Sequence, residues 1–171
     1  MSRKRRAFTL IELLLVVAII AVLTAILLPA LAAARAQSRR AVCEANLHGL
    51  GAAFRQYLDE YHDIMPIATR LPSAHLDADP RICDVLMKYV NEPLVFKCPA
   101  DIVREYFLTE GSSYEYNTSL GGRRLIDTFL NKRFGDTETH VMYDYEPFHG
   151  EPGVPGSTIY LYADWHVGFI Q

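Results

Sequence analysis

Charge is missing from 22 consecutive positions of this chain: between Glu12 and Arg35 no Asp, Glu, Lys or Arg occurs, Thr24 is polar and Pro29 is the one helix breaker. At about 1.5 Å per residue such a run makes a helix of roughly 33 Å, enough to cross a hydrocarbon layer of about 30 Å. Cysteine is scarce as well. Cys43, Cys83 and Cys98 stand too far apart for a Cys-x-x-Cys zinc or redox motif. An oxidising compartment would permit one disulfide and leave one thiol over; the alternative is three small buried hydrophobes. The chain also lacks a nucleophile motif, a glycine-rich phosphate loop and a zinc pair, which leaves no enzymatic signature to read. Beyond the N-terminus basic residues are outnumbered. Four of the 17 Lys and Arg lie at positions 3 to 6, and without them 13 basic residues face 20 acidic ones, net −7. Nucleic acid binding needs clustered cations to release counterions, so an acidic domain with only the pairs Arg39-Arg40 and Arg123-Arg124 argues against that partner.

What the N-terminus does have is Arg3-Lys4-Arg5-Arg6-Ala7 directly before Phe8-Thr9-Leu10-Ile11-Glu12 and the apolar run. The cationic block predicts a cytoplasmic N-terminus and an exported C-terminal part. Three readings compete for residues 1–36. A secretory signal peptide would place small residues near 32–36 for cleavage, but its apolar core should be about 7–15 residues and this one is longer. A plain anchor leaves Glu12 unexplained, since a carboxylate at the edge of a spanning helix is costly unless it snorkels to the interface.

The third reading is a resemblance. Arg-Lys-Arg-Arg-Ala7 followed by Phe8-Thr9-Leu10-Ile11-Glu12-Leu13 resembles the leader of type IV pilins and type II secretion pseudopilins, with Ala7 where the family usually has Gly. The resemblance implies cleavage of the Ala7-Phe8 bond by a prepilin peptidase and N-methylation of Phe8. It gives Glu12 and Pro29 assembly roles: the new terminal ammonium would pair with Glu12 of a neighbouring subunit, a charge pair that sets register, and Pro29 would permit a kink or local melting. It further implies other pilin or pseudopilin subunits, an assembly ATPase and an inner-membrane platform protein as partners. The fold expected is α+β and pilin-like, a long N-terminal helix, transmembrane in its first half, packed on a small antiparallel β-sheet. The domains expected are 1–7 as cleaved leader, 8–34 as the transmembrane and assembly half of the helix, and 35–171 as a periplasmic or extracellular globular domain.

Beyond Arg35 an apolar stripe continues at helical spacing through Leu47, Leu50, Phe54, Leu58 and Tyr61, with charge on the other face. Gly49 and Gly51 weaken this helix without ending it, and it is expected to stop near His62, ahead of Pro66. Residues 63–79 read as a loop. Asp79-Pro80 reads as a cap and first turn of a short helix to about Tyr89, and Leu94-Val95-Phe96 as a short strand. The last third reads as β: a strand over 140–144, then a hairpin of 158–163 and 166–170 turning at Asp164-Trp165, where Trp165 calls for a longer or bulged turn.

Four internal segments, around Cys43-Glu-Ala-Asn46, Phe96-Lys-Cys98-Pro-Ala-Asp101, Ser113-Tyr-Glu-Tyr-Asn117 and Tyr162-Ala-Asp164-Trp-His166, are similar to a pseudopilin-like subgroup whose tail carries His, nine residues, then Asp-Gly. Val154 replaces that His and Trp165 that Gly. The subgroup's cysteines correspond to Cys43 and Cys98, which implies a Cys43-Cys98 disulfide, with Cys83-Cys98 as the alternative.

The best constellation for a cation or acid-base chemistry is Asp144, Glu146, His149, Asp164 and His166, although alternation along strands places such residues on a solvent face. No cofactor is expected; structural calcium is held open by analogy with loops of related pseudopilins, and whether Asp144, Asp164 or His166 bind a cation is left open. The leading expectation is a structural subunit of a pilus-like or secretion fibre in the bacterial inner membrane. The competing one is a membrane-anchored or secreted ligand-binding domain that never polymerises.

Overall fold

The computed structural model describes residues 10–74 and 78–169. Two compact units divide the chain, Met1–Gln37 and Ser38–Gln171. Helix α1, Leu10–Glu60, enters both. Short helices α2 (Ile82–Leu86), α3 (Tyr106–Glu110) and α4 (Phe129–Phe134) follow, together with strands β1 (Tyr114–Tyr116), β2 (His140–Asp144), β3 (Tyr160–Tyr162) and β4 (Val167–Gly168).

In the second unit the stripe works as the spacing predicts. Cys43, Leu47, Leu50 and Phe54 are fully buried and Leu58 nearly so, since residues three and four apart share one helix face. Tyr61 is half exposed and instead stacks on Tyr57, ring centroids 4.3 Å apart. α1 stops at Glu60 because the next turn adopts left-handed backbone, with φ of 55° at His62 and 64° at Asp63. The Asp63 amide then donates back to Leu58 O at 2.9 Å, satisfying a helix-end carbonyl.

The four strands form one antiparallel sheet in the order β1-β2-β3-β4. A register shift between His140 and Met142 interrupts strict alternation, and the neighbours Val141 and Met142 are both buried. The helix lies close on this sheet. A Cβ on Gly51 would meet Leu161 Cδ1 at 3.1 Å, so glycine here serves close packing of α1 on β3. Phe54 sits between Tyr116 and Trp165, at 5.8 and 5.9 Å centroid to centroid.

Two local expectations are corrected. Leu94-Val95-Phe96 is no strand but a 3₁₀ turn over Pro93–Phe96: Pro93 starts it, the Glu92 carboxylate accepts from Leu94 N, and Lys97 N closes on Leu94 O. The short helix begins at Ile82, two residues later than Asp79-Pro80 suggested, after extended backbone at Arg81. Arg81 makes two 2.8 Å hydrogen bonds to the Asp84 carboxylate, fastening that first turn from outside.

The β3-β4 connection is longer than two residues, spanning 163–166, and Trp165 adopts φ 71°, a conformation that favours glycine. Its amide donates to Tyr162 O at 2.9 Å, and stacking on Phe54 holds the ring in place. Strain and packing therefore oppose each other at this position. Trp165→Ala keeps the strained backbone and loses the stack, whereas Trp165→Gly loses the stack and relieves the strain. Chemical denaturation should rank wild type above Trp165→Gly, and Trp165→Gly above Trp165→Ala by about 1 kcal/mol; the reverse order of the two variants would contradict the account.

Candidate functional site

In the first unit α1 presents apolar side chains outward on every side: Leu10, Ile11, Ile26, Leu27 and Leu28 are each more than three-fifths exposed. Among the described residues this is the one helix long and apolar enough to cross a membrane. Its internal polar group is satisfied, the Thr24 hydroxyl lying 2.9 Å from Ile20 O and 3.0 Å from Ala21 O. The helix runs unbroken through Pro29, which has no N–H to give the Ala25 carbonyl. Glu12 lies in the first turn, where a carboxylate complements the positive end of the helix dipole. Ala7 and Phe8 lie outside the described residues.

In the second unit three of the four internal motifs converge on one corner. Cys43 on α1 and Cys98 form a disulfide, with their Cα atoms 5.1 Å apart, and Cys83 is a buried free thiol. Beside it the Asn46 amide donates to Lys97 O at 2.8 Å and reaches Tyr114 Oη at 3.3 Å. Asp101, 3% exposed, accepts from Ser113 Oγ at 2.7 Å and from Phe107 N at 3.2 Å. Asp144 accepts from Ile159 N at 2.8 Å, and one carboxylate oxygen of each of these two aspartates, Oδ1, is buried without a hydrogen-bond partner. His149 completes the corner, its Nε2 lying 3.6 Å from Cys98 Sγ and 3.7 Å from Asp144 Oδ2. The His149 and Asp144 side chains are 2% and 0% exposed.

The five-residue constellation therefore divides. Asp144 and His149 come together in the interior, where alternation along a strand would have put them in solvent. Asp164 and His166 pair with each other in the exposed turn. Glu146 accepts from Tyr106 Oη at 2.8 Å and pairs with Arg104 at 3.0 Å. Cys98 was the missing neighbour, and nothing in the spacing of 98 and 149 announces it. A separate open groove of about 710 Å³ has His140, Tyr162, His166, Phe134 and Phe169 on its walls.

Burial pushes the Asp144 carboxyl up to about 8, with Asp101 adding and the Ile159 amide and Arg40 opposing. Burial, assisted by Arg40, brings the His149 imidazole down to about 4. Burial also raises Tyr114.

Residues 2–28 match the model of the prokaryotic N-terminal methylation motif. The chain carries a prepilin-type methylation motif. The match supports the type IV pilin and pseudopilin family, a family of structural subunits rather than enzymes. With the apolar helix it fits a membrane-anchored, single-pass protein, and it implies processing by a peptidase and association with other pilin subunits. The fold agrees, a long apolar N-terminal helix packed in its later part on a four-stranded antiparallel sheet. Curated proteins and solved structures give no match.

Two predictions follow from the buried corner of the pilin-like domain. Replacing Cys43 and Cys98 by Ser releases a 55-residue separation and should cost about 4 kcal/mol by the loop-entropy estimate; a denaturation midpoint equal to wild type would contradict it. The second concerns pH. Asp144 is protonated in the fold at pH values where an unfolded Asp, near 3.8, is not, so this group's stabilisation is full below about 4 and is lost as pH rises towards 8. His149 acts oppositely, its contribution being lost as pH falls from 6.5 towards 4. The two offset each other at acid pH. From about pH 6.5 to 8 the Asp144 slope stands alone, and stability should fall on the order of 1 kcal/mol per pH unit. Urea titrations at the two ends of that window should show the fall in wild type and a flat response in Asp144→Asn.

Proposed function

We propose that this chain is a prepilin-like structural subunit, cut at Ala7-Phe8 by a prepilin peptidase, N-methylated on Phe8 and assembled into a type IV pilus-like or type II secretion pseudopilus fibre. The observation that carries the reading is the methylation motif over residues 2–28, with Glu12 inside it and an apolar helix continuing from it. Before assembly the protein sits in the bacterial inner membrane as a single-pass subunit, N-terminus cytoplasmic and domain exported, because the block at Arg3 to Arg6 resists translocation. Cleavage removes those four cations and leaves an ammonium able to pair with Glu12 of the next subunit. Either charge alone in low dielectric is uncompensated, so mispositioned subunits are disfavoured. Pro29 lets the helix adjust as it leaves lipid for the fibre. The assembly ATPase and platform protein act indirectly, by extraction. Residues 1–7, 8–34 and 35–171 then act as leader, anchor and fibre core, and exported domain.

A membrane-anchored binding domain that never polymerises draws on the groove between Phe134 and Phe169. Intact mass and N-terminal sequencing of the mature chain separate the two. The fibre reading expects methyl-Phe8; a terminus at Ala36 or Gln37 denotes a secreted domain and an intact Met1 a plain anchor, and either sinks it. Glu12→Ala should still be cleaved yet be depleted from sheared fibres by tenfold or more; normal incorporation would remove Glu12 from the register role.

A further inference from the structure

The corner where α1 meets Cys98 holds more ligand chemistry than a structural disulfide uses. Cys43 Sγ, Cys98 Sγ and His149 Nε2 all lie within 4.8 Å of one another. Tetrahedral zinc with bonds of about 2.3 Å to sulfur and about 2.05 Å to nitrogen sets its sulfur–nitrogen ligand edge at about 3.6 Å and its sulfur–sulfur edge at about 3.8 Å. The observed Cys98 Sγ to His149 Nε2 distance is 3.6 Å. A fourth donor stands next to the imidazole, outside the cluster of three: Asp144 Oδ2 is 3.7 Å from that nitrogen, against an ideal nitrogen–oxygen edge of about 3.3 Å. Asp144 Oδ1 is buried with no hydrogen-bond partner, a polar atom that the fold leaves unused. The Cα atoms of Cys43 and Cys98, 5.1 Å apart, are held by α1 and by the turn after Phe96, so the sulfurs can part by rotation about their own side chains.

We propose that Cys43, Cys98, His149 and Asp144 form a buried site for a soft divalent cation of the zinc class, open when the disulfide is reduced and closed when it is formed. A dithiol reductant supplies two electrons and two protons and itself becomes a disulfide; the Cys43–Cys98 bond breaks to two thiols, and the arriving cation releases both thiol protons and the Asp144 carboxyl proton. Two thiolates, an imidazole and a carboxylate make a closed, structural coordination set. The cation then ties α1 to the Cys98 turn and to the 144–149 segment, replacing one covalent tether by a four-point one. The chain can thus hold its domain together before oxidation as well as after it.

The test uses the full-length chain in detergent with Cys83→Ser, leaving Cys43 and Cys98 as its thiols. A phosphine opens the disulfide, taking oxygen from water to become its oxide, and Co²⁺ is titrated under inert gas. The reduced protein should bind one Co²⁺ with thiolate-to-metal charge-transfer absorption and tetrahedral visible bands, both abolished by one equivalent of Zn²⁺. The oxidised protein should show neither. His149→Gln and Asp144→Asn should each weaken binding at least tenfold, while His140→Gln, a groove histidine, should not. If the reduced chain unfolds without metal, Zn²⁺ should restore its near-ultraviolet circular dichroism. The proposal fails if reduced protein gives no thiolate–cobalt band, if the oxidised form binds equally, if His149→Gln binds as tightly as its parent, or if Zn²⁺ leaves an unfolded reduced chain unfolded.

Discussion

One strip of contact carries the domain from Ser38 onward: the face of α1 that runs from Cys43 through Leu47, Leu50 and Phe54 to Leu58, pressed on the antiparallel sheet. Each such side chain contributes about 1.5–3 kcal/mol on burial, and their number, more than any single contact, fixes the helix on β3. Gly51 sets the approach, because Leu161 occupies the space a methyl group would need. Phe54 then reaches both Tyr116 on β1 and Trp165 beyond β3, so one helix residue ties the near and far parts of the meander together. The left-handed residues His62 and Asp63 end the helix where that strip ends.

Against this apolar face the protein sets a costly polar corner. Asp101 and Asp144 are buried, each with an unpartnered oxygen, and His149 is held neutral by desolvation. Such groups destabilise an interior unless something compensates, and the disulfide beside them constrains the unfolded chain across the same contact. Stability and redox state are therefore coupled at one place, where α1 and the Cys98 turn converge with the 144–149 segment.

The methylation motif and this corner belong to different stretches of the chain. The motif lies within residues 2–28 and is a matter of local sequence, a small residue before Phe8, a carboxylate at Glu12 and a long apolar helix. The corner draws on α1, the Cys98 turn, Ser113, Asp144 and His149, which are distant in sequence and meet only in the fold.

The sequence by itself determined what depends on near neighbours. The absence of charge between Glu12 and Arg35 and the three-and-four spacing from Leu47 to Leu58 define α1, since helix hydrogen bonds and faces are set within a turn or two. The C-terminal hairpin and the departure from a two-residue turn at Trp165 were legible for the same reason. The Cys43–Cys98 pair was implied only by family resemblance; spacing left Cys83 an equal candidate. Tertiary structure decided the rest. Pro93 and the Glu92 side chain turned an apparent strand at Leu94 to Phe96 into a 3₁₀ turn, and β1 formed at Tyr114 to Tyr116 because β2 was there to pair with it. It also carried Asp144 and His149 inward, although strand alternation was read as placing them in solvent: Asp144 shares the face of β2 that buries Met142, and the return after Asp144 brings His149 beside it. Burial and ligand geometry are properties of contacts across 50 or 100 residues, and no local pattern encodes them.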